Sequence, residues 1–150
     1  MIELNKRLKE ELIEKGADLV GFADLKEIEE SNRESMRFGI AVAVALSPRV
    51  VEGIKDGPTL EYFNEYNRVK NLLEDIVTHA SNLIKSYGYK AIPNTEENMK
   101  INRHTLSTLL PQKTVATRAG LGWIGKSALL ITKEYGSAIR ISLVLTEAEL

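Results

Sequence analysis

The chain is 150 residues long and 43% hydrophobic, with 20 basic against 21 acidic residues and no cysteine. That length and apolar content suit one globular domain with a proper core. The near-cancelling charge excludes an overall field toward nucleic acid or an anionic membrane, and the lack of thiols excludes disulfides and thiol catalysis within the chain.

No apolar run approaches the length of a membrane span, and Met1–Lys6 opens an amphipathic helix rather than a signal peptide, so a cytoplasmic protein is expected. From Ile2 to Lys15, the residues Leu4, Leu8, Leu12 and Ile13 recur at the spacing of one helical face, and Gly16 stands where such a helix ends. Asp18–Ala23 reads as a short strand and Leu25–Glu34 as a charged helix or loop. Phe38–Leu46 is apolar throughout, as a central strand covered on both faces must be, and Ser47-Pro48 ends it. The loop to Asp56-Gly57-Pro58 leads into a long helix reaching Tyr87. Its apolar face carries Leu60, Phe63, Tyr66, Val69, Leu72, Leu73, Ile76, Ala80, Leu83 and Ile84, and Gly88 is its stop. Tyr89–Pro93 suggests a short strand whose proline belongs at a sheet edge or strand end. Asn94–Leu110 is polar, irregular and longer than an ordinary connection, the kind of segment that forms a functional loop or lid. Pro111–Arg118 reads as a short helix. Leu129–Ile131 and Ala138–Leu145 read as a final strand pair joined through Tyr135-Gly136-Ser137. The expected architecture is α+β, a single domain with helices packed around a mixed sheet.

Between Arg118 and Ser127 the chain crowds three glycines, its one tryptophan and a lysine into a short space. Gly120 to Ser127 spells G-x-x-x-x-G-K-S, and Gly120 to Gly125 spells G-x-G-x-x-G. A phosphate loop needs a strand before the glycines and a helix beginning at the lysine, so that backbone N–H groups converge on the anion. Here a helix or loop precedes the glycines and Ser127–Thr132 reads as strand, so nucleotide binding is not expected. Ser107, Ser127 and Ser137 have no recognisable base partner for hydrolysis. The two histidines, His79 and His104, lie too far apart for a metal-ligand spacing, and no metal site is expected.

Arg118-Ala119-Gly120-Leu121-Gly122-Trp123-Ile124-Gly125-Lys126, with Tyr135-Gly136-Ser137 and Leu145-Thr146-Glu147, resembles the epoxyqueuosine reductase family, which carries A-G-L-G-W-I-G-K, then G-S, then an L-T-D-like end. The resemblance runs from Thr117 to Leu150. It implies a cobalamin-binding catalytic domain, related in shape by analogy to flavin-binding nitroreductases and cobalamin-processing proteins, and followed by a ferredoxin-like module with two iron–sulfur clusters. Without cysteine this chain cannot hold those clusters itself. It stops where that module begins in the family, so it is expected to be cut just before the module, the other explanation being a natural short relative without its electron supply. The expected partner is the missing C-terminal iron–sulfur module or another electron donor. Apolar surface bared by the loss of that module would also permit a homodimer. The family acts on a modified transfer RNA. Lys113, Arg118, Lys126 and Arg140 gather in the C-terminal third, yet the chain lacks the charge for binding nucleic acid by itself.

For the individual residues two readings stand side by side. Gly120, Gly122 and Gly125 either serve tight turns or let a large flat ligand approach the backbone. The resemblance implies the second, with backbone amides and the hydroxyls of Ser127 and Ser137 hydrogen-bonding to a corrin ring. Trp123 either stacks on that cofactor or anchors the core. Lys126 either reaches the phosphate-bearing tail of the cofactor or a substrate phosphate, or is an exposed lysine at a strand start. Arg118 is the next candidate because it abuts the motif. FMN is the alternative cofactor. The resemblance also implies an aspartate upstream of the glycines as proton donor, but Ile101 to Arg118 contains no carboxylate. The position falls near Leu106, which makes His104 the substitute donor, with an unperturbed pKa of about 6.5. An exposed loop histidine is its plain reading, and His79 is read as a packing or surface residue. A non-catalytic binding or assembly module that keeps the fold without cofactor and clusters is the alternative to the oxidoreductase.

Overall fold

Leucines one helical turn apart start the fold. In a computed structural model, which describes residues 2–26, 36–47, 59–93, 119–124, 130–131 and 139–150, helix α1 (Ile2–Lys15) buries Leu4, Leu8 and Leu12 completely. Ile13, expected on the same face, is 47% exposed because it lies a quarter turn off the leucine stripe. Gly16 ends the helix at φ +126°, with its N–H on the Ile13 carbonyl and the Ala17 N–H on that of Leu12.

Strand β1 (Leu19–Asp24) pairs antiparallel with β2 (Phe38–Ala45), opposing Gly21 to Ala41 and Ala23 to Gly39. Strand β2 is buried at every position but its last, as the unbroken apolar run requires. Its end is pinned from outside the sheet. The Asp18 carboxylate accepts the Ala45 N–H at 2.7 Å, and the buried Glu65 carboxylate accepts the Ser47 N–H at 2.6 Å.

Helix α2 (Leu60–Ser86) begins at Thr59, whose hydroxyl accepts the Tyr62 N–H at 3.0 Å, and closes at Gly88 with φ +90°. Glu65, Val69, Leu73, Ile76, Ala80 and Ile84 form part of its buried stripe. The expected face extended further toward the N-terminus, yet Leu60 and Phe63 are exposed, at 75% and 60%. After α2 come β3 (Ala91–Pro93), β4 (Trp123–Ile124), β5 (Leu130–Ile131) and β6 (Ile139–Thr146).

The main sheet runs β1-β2-β6-β3, with Pro93 on an edge strand as its missing N–H demands. The α+β single-domain expectation holds, but the sheet expected to be mixed is antiparallel at every described pairing. β2 and β3 do run the same way, across α2. The last strand, β6, slots between them and faces both in the opposite sense. The expected pairing of Leu129–Ile131 with Ala138–Leu145 is not formed either. Among the described residues β6 pairs with β2 along its whole length and with β3 over Val144–Thr146, while β5 pairs with β4 in a separate ribbon.

Two apolar layers sandwich the sheet. On one face Ile40, Val42, Val44 and Val144 pack with α1 and α2; on the other Ala23, Ala41, Ala43, Leu143 and Leu145 pack with Leu121 from the glycine segment.

Candidate functional site

The glycine segment lies on the sheet face opposite the helices. Ala119 and Gly120 form a turn, with Ala119 half-buried, Gly120 exposed and Leu121 buried in the layer over β1 and β2. Gly120 has φ +80°, a conformation that side chains rarely adopt, and among the described residues a Cβ built on it would meet no atom within 4 Å. Thus one reading given for this glycine, a tight turn, is met. Gly122 is half-buried, and Trp123 and Ile124 follow in β4, opposite Ile131 and Leu130.

The segment rests on β1. A Cβ on Gly21 would come within 2.6 Å of the Ala119 carbonyl oxygen and 2.9 Å of both the Ala119 Cβ and Leu121 Cδ2. Gly21 was missed in the sequence, although a glycine inside a strand pattern is itself a sign of close backbone approach.

Of the site residues named from the sequence, Gly120, Gly122 and Trp123 lie within the described residues, as neighbours in one short segment. Arg118, Gly125, Lys126, Ser127, Ser137 and His104 lie outside the described residues, as do the proposed lid and the short helix at Pro111–Arg118. Arg140 is not part of this group. It sits opposite Val44 on the helix face and stacks over the Tyr66 ring at 3.9 Å, on the far side of the sheet from the glycines. His79 joins the helices, with 3.0 Å between its Nε2 and Glu11 Oε1; Glu11 also takes the Arg7 guanidinium at 2.6 Å. A groove lined by Glu11, Glu14, Lys15 and His79 also opens on this helix side, remote from the glycines. Among the described residues no group of three metal-ligating side chains is arranged to hold an ion. No helix among them is long and apolar enough to cross a membrane.

The phosphate-loop text has the wrong context. Trp123–Ile124, inside it, is β-paired with Leu130–Ile131, so strand stands where a phosphate loop has a glycine turn.

At Gly120 backbone is offered to an open side with no side chain in the way. Exposed peptide groups can match the amide donors and acceptors of a corrin periphery, so this residue is compatible with the cobalamin that the resemblance implies.

An antiparallel sheet with α1 and α2 on one face and a glycine-rich turn seated on the other defines the class, an α+β domain whose fold recurs in epoxyqueuosine reductase and reductive dehalogenase structures. The match covers 93% of this chain and 20% of a reductive dehalogenase whose structure was interpreted in terms of B12-dependent dehalogenation, with a TM-score of 0.72 and 16% identity. It covers 97% of this chain and 46% of an epoxyqueuosine reductase solved with an epoxyqueuosine-modified tRNA-Tyr stem loop, with a TM-score of 0.66 and 18% identity. Among curated proteins the chain is 54% identical over 39 residues to the epoxyqueuosine reductase of Gloeobacter violaceus, and 34% identical over 64 residues to that of Listeria monocytogenes. Those segments are 26% and 43% of this chain but only 12% and 16% of the relatives' length. No family model matches. The chain resembles the epoxyqueuosine reductases, in sequence over these segments and in fold along nearly its whole length.

Proposed function

We propose that this domain binds a cobalamin at the glycine segment and forms the cofactor-holding part of an epoxyqueuosine reductase-like oxidoreductase. The observation that carries the reading is Gly120, held at positive φ over a seated backbone with open space where a side chain would be. In this proposal the backbone of Gly120, Gly122 and Gly125 and the hydroxyls of Ser127 and Ser137 bond the corrin amides. Trp123 covers the ring. Lys126 and Arg118 neutralise the phosphate of the cofactor tail. A cobalamin held there would supply a redox-active metal centre for reduction of the substrate. His104 supplies the proton, as the acid nearest the place where the related enzymes carry a carboxylate. Electrons come from an iron–sulfur module or separate donor, because this chain has no thiolate to hold a cluster.

The test is titration of the folded domain with cobalamin, followed by visible absorption, with FMN in parallel. We expect saturable binding with a Kd on the order of micromolar or weaker. No spectral or calorimetric change at near-millimolar cobalamin contradicts the reading, and tight binding of FMN alone replaces it with a flavin site. A second reading is favoured by the absence of any carboxylate from Ile101 to Arg118 and of any cysteine. On that reading the domain is a binding or assembly module that keeps the fold without the chemistry, and neither cofactor should bind.

A further inference from the structure

We propose that Gly21 is a positioning residue for the glycine segment: the lack of a side chain there sets the depth at which Ala119–Leu121 rests on the sheet, and so the floor of the cofactor site. The second half rests on the cobalamin reading; the first does not.

Two causes can require glycine at a position, backbone conformation and space, and here they separate. Gly21 is not among the positive-φ glycines of the described residues, which are Gly16, Gly88 and Gly120. Its backbone is that of an ordinary strand residue paired with Ala41, so alanine there would meet no dihedral strain and would restrict the unfolded chain in the stabilising direction. Space acts the other way. The nearest neighbour of an added Cβ, at 2.6 Å, is the carbonyl oxygen of Ala119, a main-chain atom that cannot rotate aside as a side-chain end would. The Ala119 Cβ and the Leu121 Cδ2, both at 2.9 Å, close the other directions. Relief therefore requires the segment itself to rise.

The surrounding register is consistent with a seat. On this face β1 and β2 oppose Gly21 to Ala41, Ala23 to Gly39 and Leu19 to Ala43, whereas β6 places Leu143 and Leu145 on the same side. The floor is low over β1 and β2 and high over β6, and Leu121 is buried in the same cluster as Ala23, Ala41 and Leu143. A segment held there presents Gly120 outward, so a change of depth at Gly21 alters the open side without touching it.

Gly21→Ala tests this by hydrogen exchange and mass spectrometry, which needs no cofactor. Peptides covering Ala119–Ile124 should exchange roughly tenfold faster or more, while those of α1 and α2 keep wild-type protection. Cobalamin titration should weaken in the same variant. Leu12→Ala, which opens a cavity on the helix side, is the stability control and should leave both the local exchange and the titration as in the wild type. If Gly21→Ala does not fold, Leu121→Ala removes the seated side chain without adding bulk and should give the same local acceleration. Wild-type exchange at Ala119–Ile124 in Gly21→Ala, or in Leu121→Ala where that is the variant that folds, overturns the proposal. If the wild-type domain binds no cobalamin, the cofactor reading fails while the exchange result still decides the role of Gly21.

Discussion

Thr146 is fully buried, donates its hydroxyl to the Lys90 carbonyl at 2.6 Å and accepts the Ala148 N–H at 3.1 Å. It thereby ties the end of β6 to the turn before β3. The threonine of the Leu145-Thr146-Glu147 motif has a structural reason that needs no ligand. Thr146→Val keeps the shape, removes both bonds and leaves the Ala148 N–H without that acceptor. It should cost about 1–3 kcal/mol, read from the urea midpoint, and an unchanged midpoint would dismiss the tie. Glu65 gives the acid response its sign. The Arg68 guanidinium foremost, and the Ser47 N–H with it, hold its carboxyl below the usual range, against burial, which pushes it up. A depressed carboxylate stabilises the fold above its unfolded pKa of about 4.3 and loses that contribution as pH falls through the folded value. The stability gap between wild type and Glu65→Gln should therefore be constant near neutrality and shrink in acid. A gap independent of pH would remove Glu65 from the acid response. Motif spelling directed attention to Gly120, and the fold holds it at positive φ in an exposed turn. Gly21 was invisible to the same reading because its reason lies in a chain segment nearly a hundred residues away.

At the scale of elements, periodicity locates faces but cannot say what lies opposite them. The apolar residues of α2 keep their helical spacing from Leu60 to Ile84, and only the part over the sheet is covered. Ile76 is fully buried and Phe63 is 60% exposed, though both were read from one stripe. Ile76→Ala should cost about 2–5 kcal/mol, whereas Phe63→Ala should stay within about 0.5 kcal/mol, measured by chemical denaturation. Equal losses would mean that the first turns of α2 are covered in solution, by a second copy of the chain or another partner. Strand pairing was the other blind spot. The helices, the apolar β2 and the edge position of Pro93 were legible because each is written locally, in a period, a run or a missing N–H. The partner of β6 was not. Pairing of Ala45 with Ile139 joins residues far apart in sequence, and a short loop made the wrong hairpin look cheaper.

For the whole molecule the division of labour runs across the sheet. One face is sealed by α1 and α2 into an ordinary core, and the Glu11–His79 tie and the Arg140–Tyr66 stack belong to that side. The other face carries the glycine segment, where the proposed cobalamin site lies. Hydrogen exchange of the wild-type domain with and without near-millimolar cobalamin tests that placement most directly. Added cobalamin should slow exchange in peptides covering Ala119–Ile124 and leave the peptides of α1 unchanged. Binding that protects α1 and the helix face instead, or no protection at Ala119–Ile124 when cobalamin is bound, would contradict a cofactor site on the glycine segment.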